Sequence, residues 1–271
     1  MQLLHVYKIM DCRKRSAEES IDSNEHAKKS KAPRELKNIL AAFGCRKGER
    51  ADMQDTHILS PKFDLGEDKL FLSRSSFFAI FDGHAGPRAS EHCQNQMGRT
   101  VKEKLVKFSD FVSLTKSLKQ TFTESYKAVD DGFLALAKQN KPQWKDGTTA
   151  TTMIVLNNVI YVANIGDNLP FKSLGIINTP DLKKLTLTEN DLFAIIACDG
   201  LWKSFSNVEA VTYAAEQLEA AKKMDIEQEP NETREVAELR TVAEKLAAEA
   251  VRRKCGDNVS VIIIKLDIVD V

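Results

Sequence analysis

The chain has no net charge: its 39 Lys and Arg residues balance 39 Asp and Glu residues. A sequence so balanced has no overall field to draw it to nucleic acid or to a membrane surface, and neither is expected as a partner. No apolar run approaches the length needed to cross a bilayer. Residues 1–10 are too short and too polar a segment for a secretory leader. Cysteine is sparse. Cys12, Cys45, Cys93, Cys198 and Cys255 are scattered and odd in number, with neither metal-ligand spacing nor a disulfide framework. Structural thiols in a reducing intracellular compartment are the expectation. A phosphate-cradling glycine loop of the nucleotide-binding type is missing too, and no internal repeat is evident.

What is present is a globular composition, unevenly distributed. Hydrophobic residues make up 42% of the 271, enough for an ordinary core. Residues 11–37 are charged and poor in large apolar side chains. Residues 1–37 are therefore expected to form a disordered basic and polar tail, with the folded domain occupying 38–271. Within the tail, Arg13-Lys14-Arg15 and Lys28-Lys29-Ser30-Lys31 form two basic clusters separated by a polar spacer. This is the layout of a bipartite nuclear import signal, or of a solvated charge run. The first reading implies an import receptor as partner and a protein found in both cytoplasm and nucleus.

Periodicity supplies the elements. Leu114, Leu118, Phe122, Tyr126, Val129, Phe133 and Leu136 recur at steps of three and four, predicting a long amphipathic helix over 111–140 with a break near Gly132. A second helix is predicted from Gly86 to Val106, with Pro87 in its first turn. Residues 148–156 and 159–164 read as strands joined at Asn157-Asn158. Ser206 and Glu209 form a capping box for a helix over 207–222, and Thr233 caps another over 234–253, with an acidic loop between them. Strands and long helices together predict an α+β layered domain.

Three apolar runs end or begin with an aspartate: Ser76 to Phe81 before Asp82, Leu192 to Cys198 before Asp199, and Val259 to Ile264 after Asp257. Each run is short and rich in β-branched or aromatic residues, as buried strands are. Each carboxylate then stands where the backbone enters or leaves a sheet. Glycine beside Asp82 and Asp199 permits a sharp turn or a ligand's close approach. Three acids converging on one edge repel one another unless a cation lies between them, and hard divalent ions prefer oxygen ligands. The alternative, three unrelated turns, two of them Asp-Gly, leaves the further motifs without a reason.

Those motifs are Gly48-Glu49-Arg50-Ala51-Asp52-Met53-Gln54-Asp55-Thr56-His57, Phe81-Asp82-Gly83-His84-Ala85-Gly86, Asp146-Gly147-Thr148-Thr149-Ala150, Ala163-Asn164-Ile165-Gly166-Asp167-Asn168, Ala197-Cys198-Asp199-Gly200-Leu201-Trp202 and Gly256-Asp257-Asn258-Val259-Ser260. In this order they resemble the metal-dependent serine/threonine phosphatases of type 2C, from about Glu49 to Leu266. The resemblance implies a sandwich of two antiparallel β-sheets flanked by helices. It also implies two Mg2+ or Mn2+ ions held by Asp82, the Gly83 carbonyl, Asp199 and Asp257, with Asp167 for a third. Lys203 replaces the acid that many members carry, which weakens that third site. Arg50 matches the family's phosphate-binding arginine, or else forms a surface ion pair. His84 matches the general acid, or else hydrogen-bonds a carboxylate. Asp55, Gln54, His57 and Asn258 are implied as supporting residues around the ions, His57 having a purely structural role as its alternative. The substrates implied are phosphoproteins.

The pattern breaks once. After Asn168 the family continues through a helix, a flap and further strands, whereas here Leu169-Pro170-Phe171-Lys172-Ser173 follows directly. A truncated sandwich lacking this flap region is expected, with the principal metal ligands kept. The two resulting readings are an active phosphatase and a catalytically impaired binding protein of the same fold.

Overall fold

A computed structural model describes residues 5–8, 34–166, 179–188 and 190–270. Two antiparallel sheets form the centre. One has strands β1 (His5–Lys8), β10 (Asp191–Ala197), β11 (Val259–Asp270) and β2 (Arg34–Arg46) in that order. The other has β3 (Thr56–Ser60), β4 (Ser75–Phe81), β7 (Ala150–Leu156), β8 (Val159–Ile165) and β9 (Asp181–Thr186). Two two-residue strands, β5 (Gly83–His84) and β6 (Gly147–Thr148), pair separately. Helices α1 (Arg88–Leu105) and α2 (Phe111–Gln139) cover the five-stranded sheet. Helices α4 (Asn207–Ala221) and α5 (Arg234–Arg252) cover the other, and the single turn α3 (Asp199–Trp202) follows β10.

This layering explains why the strands read as continuous apolar runs. In β10, Ala194, Ile196 and the adjoining Cys198 face the space between the sheets, against Phe78, Ile80, Met153 and Val155. Phe193, Ile195 and Ala197 of the same strand face α4 and α5 through Val211, Leu239 and Leu246. With both faces covered, alternation disappears. Ile262, Ile263 and Ile264 of β11 are all fully buried. Each such side chain contributes roughly 1.5–3 kcal/mol through the apolar surface it removes from water. The sandwich is thereby rigid where its strand ends carry the acids.

Most expected elements form. The β7–β8 hairpin turns at Asn157-Asn158, with Asn157 at φ 53°. Ser206 and Glu209 make the reciprocal capping box, and the Thr233 side chain accepts from the Val236 amide. Three expectations are corrected. Helix α2 runs unbroken through Gly132, which faces His92 of α1 at a point where an added Cβ would come within 3.3 Å. Leu136 is exposed, and Ala137 takes its place on the buried face. Strand β1 lies within the stretch read as a tail: it adds to the sheet edge, Val6 pairing with Ala194. Both basic clusters, and the junction of Asn168 with Leu169, lie outside the described residues.

Candidate active site

All three acid-bearing corners meet at one end of the sandwich. Asp82 follows β4, Asp199 follows β10, and Asp257 precedes β11. Because β10 and β11 are antiparallel neighbours with Ala197 opposite Val261, the exit of one lies beside the entry of the other. The glycines contribute differently from the expectation. A Cβ on Gly83 would lie 2.2 Å from the Gln54 carbonyl oxygen, and one on Gly200 would lie 2.1 Å from that of Asn258. It is the protein's own backbone that approaches there, not a ligand. Glycine lets the 54 and 258 segments close over the Asp82 and Asp199 corners.

Asn258 ties the parts together. Its side-chain oxygen accepts from the Gln54 amide at 2.9 Å, and its nitrogen donates to the carbonyls of Lys47 at 2.8 Å and Asp52 at 3.1 Å. The loop carrying Arg50 is thus clamped to the residue beside Asp257. The Gln54 side chain accepts from the Gly86 amide at 3.1 Å and so fixes the turn after His84. The Asp146 carboxylate, fully shielded, accepts from the Arg88 side chain at 2.8 Å and from its amide at 3.2 Å, which anchors the start of α1. Sequence reasoning missed these two positioning contacts, although Asp146 opens one of the motifs.

The electrostatics divide the acids into two groups. Asp257 is neutralised: Arg50 Nε lies 3.0 Å from one oxygen and Lys203 Nζ 2.9 Å from the other. The Lys203 ammonium also lies 2.8 Å from Asp199. The Asp257 carboxyl is held below its ordinary pKa: burial opposes this, but Lys203, the Asn258 amide and Arg50 together prevail. The other pair is not neutralised. Asp55 is buried, and neither of its carboxylate oxygens has a hydrogen-bond partner. Burial raises its pKa. Asp82 is pushed up to about 8, first by burial, then by the negative charges of Asp55, Asp199 and Asp257. Buried, unpaired carboxylates are costly unless protonated or bound to a cation.

Among the described residues, no three His, Cys, Asp or Glu side chains enclose a common point. Lys203 sits between two of the predicted ligands instead. The residues nonetheless fit a hard divalent ion in kind: the donors are all oxygen, the buried Asp55 carboxylate is unsatisfied, and Asp82 is buried close to the charges of Asp55, Asp199 and Asp257. Asp167 lies outside the described residues.

The remaining predicted residues separate by environment. His84 is half exposed; its Nδ1 donates to the Asp82 carbonyl at 3.0 Å and lies 3.8 Å from the Asp82 carboxylate. That bond leaves Nε2 as the nitrogen able to meet a substrate. Arg50 is 62% exposed at its side chain and pairs with Asp257. His57 stacks on Phe43, ring centroids 3.5 Å apart, and burial lowers its pKa to about 4.

The sequence matches the protein phosphatase 2C family over residues 40–169 and 168–259. The chain belongs to that family. It is by that membership an enzyme of the protein phosphatase class. The two matched stretches meet at the junction of Asn168 and Leu169, where the sequence was read as shortened. A human relative, the integrin-linked kinase-associated serine/threonine phosphatase 2C, is 29% identical over 318 residues, covering 94% of this chain and 80% of that protein. In fold the chain is similar to a serine-threonine phosphatase 2C from Toxoplasma gondii, with a TM-score of 0.63 at 16% identity, covering 88% of this chain and 98% of that one. It is also similar to a C. elegans sex-determining protein, with a TM-score of 0.65 at 18% identity, covering 84% and 65%. These likenesses agree with the α+β sandwich expected from the sequence.

Proposed function

We propose that the protein is a metal-dependent serine/threonine phosphatase that hydrolyses phosphoserine and phosphothreonine in phosphoproteins. The observation that carries this reading is the pair of buried, unneutralised carboxylates, Asp55 and Asp82, at the one end where both sheets deliver acids. Asp82, the Gly83 carbonyl, Asp199 and Asp257 would hold two Mg2+ or Mn2+ ions, with Asp167 as the candidate for a third. Bound there, the ions supply Lewis acidity and lower the pKa of water so that it can attack phosphorus.

The chain's own residues do the rest. The Arg50 guanidinium, mounted on the loop clamped by Asn258, orients the phosphate dianion through paired donors. The resting ion pair with Asp257 holds it beside the acid cluster. His84, oriented by its Nδ1 bond to the Asp82 carbonyl, delivers a proton from Nε2 to the departing serine or threonine oxygen. Asp55 draws the Asp82 corner towards positive charge. Gln54 holds the Gly86 turn, a positioning role in place of the acid common in the family. The basic clusters suit an import receptor, and a distribution between nucleus and cytoplasm is part of the same reading.

The resemblance implies that the family elements absent after Asn168 contribute to the substrate side, so activity should be lower on phosphoproteins than on small phosphoesters. The test compares p-nitrophenyl phosphate with a phosphorylated protein, each with Mn2+ and with chelator. Mn2+-dependent turnover of both, weaker on the protein, is expected. Equal rates with and without chelator would remove the metal from the reading.

A further inference from the structure

Lys203, which touches two of the acids, is not absorbed by the phosphatase reading. It caps the C-terminal end of α3, where its amide donates to the Asp199 carbonyl at 2.8 Å. One helical turn thus returns its side chain over Asp199, which it meets at 2.8 Å, and carries it across to Asp257 at 2.9 Å. The mount is firm. Leu201 is fully buried, Gly200 lies against the Asn258 carbonyl, and Trp202 Nε1 donates to the Ala197 carbonyl at 3.1 Å. The side chain itself is 52% exposed. An ammonium on a four-carbon stem is a compact point charge that can withdraw into water by bond rotation, as a stacked or bidentate guanidinium cannot do so readily.

We propose that the Lys203 ammonium is a resident cation of the acid cluster. It takes the place of a divalent ion between Asp199 and Asp257 while metal is absent, and must swing out before those carboxylates can accept one. This rests on the proposed metal-dependent reading. It accounts for the division seen among the acids: Asp199 and Asp257 each meet the ammonium, whereas among the described residues neither Asp55 nor Asp82 forms an ion pair with a Lys or Arg. Lys203 therefore has two opposed effects. It stabilises the empty cluster, and it competes with the ion for the two ligands.

The test uses the full chain and two variants, Lys203→Met and Lys203→Arg. Melting is measured in chelator, and Mn2+ binding by titration calorimetry. Lys203→Met should melt lower than the native protein in chelator yet bind Mn2+ about tenfold more tightly. Lys203→Arg keeps the charge, and should melt near the native value and gain no Mn2+ affinity. If Lys203→Met is unfolded in chelator, folding upon Mn2+ addition supports the proposal, and failure to fold with Mn2+ overturns it. Equal or weaker Mn2+ binding by a folded Lys203→Met also overturns it. Absence of Mn2+ binding in native protein and variants alike refutes the metal-dependent reading. The chelator melts then decide whether Lys203 neutralises the cluster at all, an unchanged melting temperature refuting that as well.

Discussion

Replacing Asp82 by Asn removes one negative charge from a buried corner of the cleft while keeping its shape. In the metal-free protein the Asp82 carboxyl is raised from 3.8 to about 8, by burial first and by the charges of Asp55, Asp199 and Asp257 after it. A carboxyl whose folded pKa is raised stabilises the fold in its neutral form. That contribution is complete below the ordinary value and is lost as pH rises through about 8. The full shift corresponds to roughly 6 kcal/mol. Water entering the cleft shields part of it, leaving an expected gain of roughly 2–5 kcal/mol for Asn at alkaline pH. A domain of this size shifts its melting temperature by about 2–4 °C per kcal/mol. Scanning calorimetry in chelator at pH 8.5 should therefore show Asp82→Asn melting at least about 4 °C above the native protein. The difference should narrow steadily towards pH 4. In the same variant Mn2+ binding should be lost. A melting temperature at or below the native one at pH 8.5 would refute the placing of Asp82 among unneutralised acids. Such opposition of stability and function is typical of active sites.

Other consequences can be checked separately. His57, buried against Phe43 with a pKa lowered to about 4, is neutral in the fold. Its contribution is present above 6.5 and lost as pH falls through 4, up to roughly 3 kcal/mol. Urea midpoints of His57→Phe should fall less than those of the native protein between pH 7 and 4, and parallel profiles would contradict this. Arg50→Ala should raise KM for a phosphopeptide about tenfold or more while Mn2+ affinity is not reduced. A loss of Mn2+ affinity would make Arg50 a structural partner of Asp257 instead. Asn258→Ala deletes three hydrogen bonds that join the Arg50 loop to β11 and should destabilise the protein by roughly 2–4 kcal/mol in urea unfolding. A change under about 0.5 kcal/mol would show the loop to be held by other contacts.

The sequence made the strand ends and their acids legible because apolar runs and Asp-Gly punctuation are local signals. The same locality let the capping box at Ser206 and the Asn157-Asn158 turn be read correctly. What it hid depends on contacts between distant residues. Gln54 and Asn258 are 204 positions apart, and nothing near either announces their bond. Gly83 and Gly200 were legible as places of close approach, but the approaching partner was the protein's own backbone. Strand β1 escaped because four residues beside a charged stretch carry little periodicity, and pairing with β10 supplies what propensity does not. Lys203 could be read as a missing acid. Its reach to both Asp199 and Asp257 required the turn of α3 and the adjacency of β10 and β11.

The most direct measurement is phosphate release from a phosphothreonine peptide, with Mn2+ titrated into the native protein and Asp199→Asn side by side, equilibrium Mn2+ binding being recorded on the same samples. The account predicts that turnover in the native protein rises with occupied metal and vanishes in chelator. It also predicts that the variant loses Mn2+ affinity and turnover together. Unchanged Mn2+ binding in Asp199→Asn, or native turnover that persists in chelator, would contradict it.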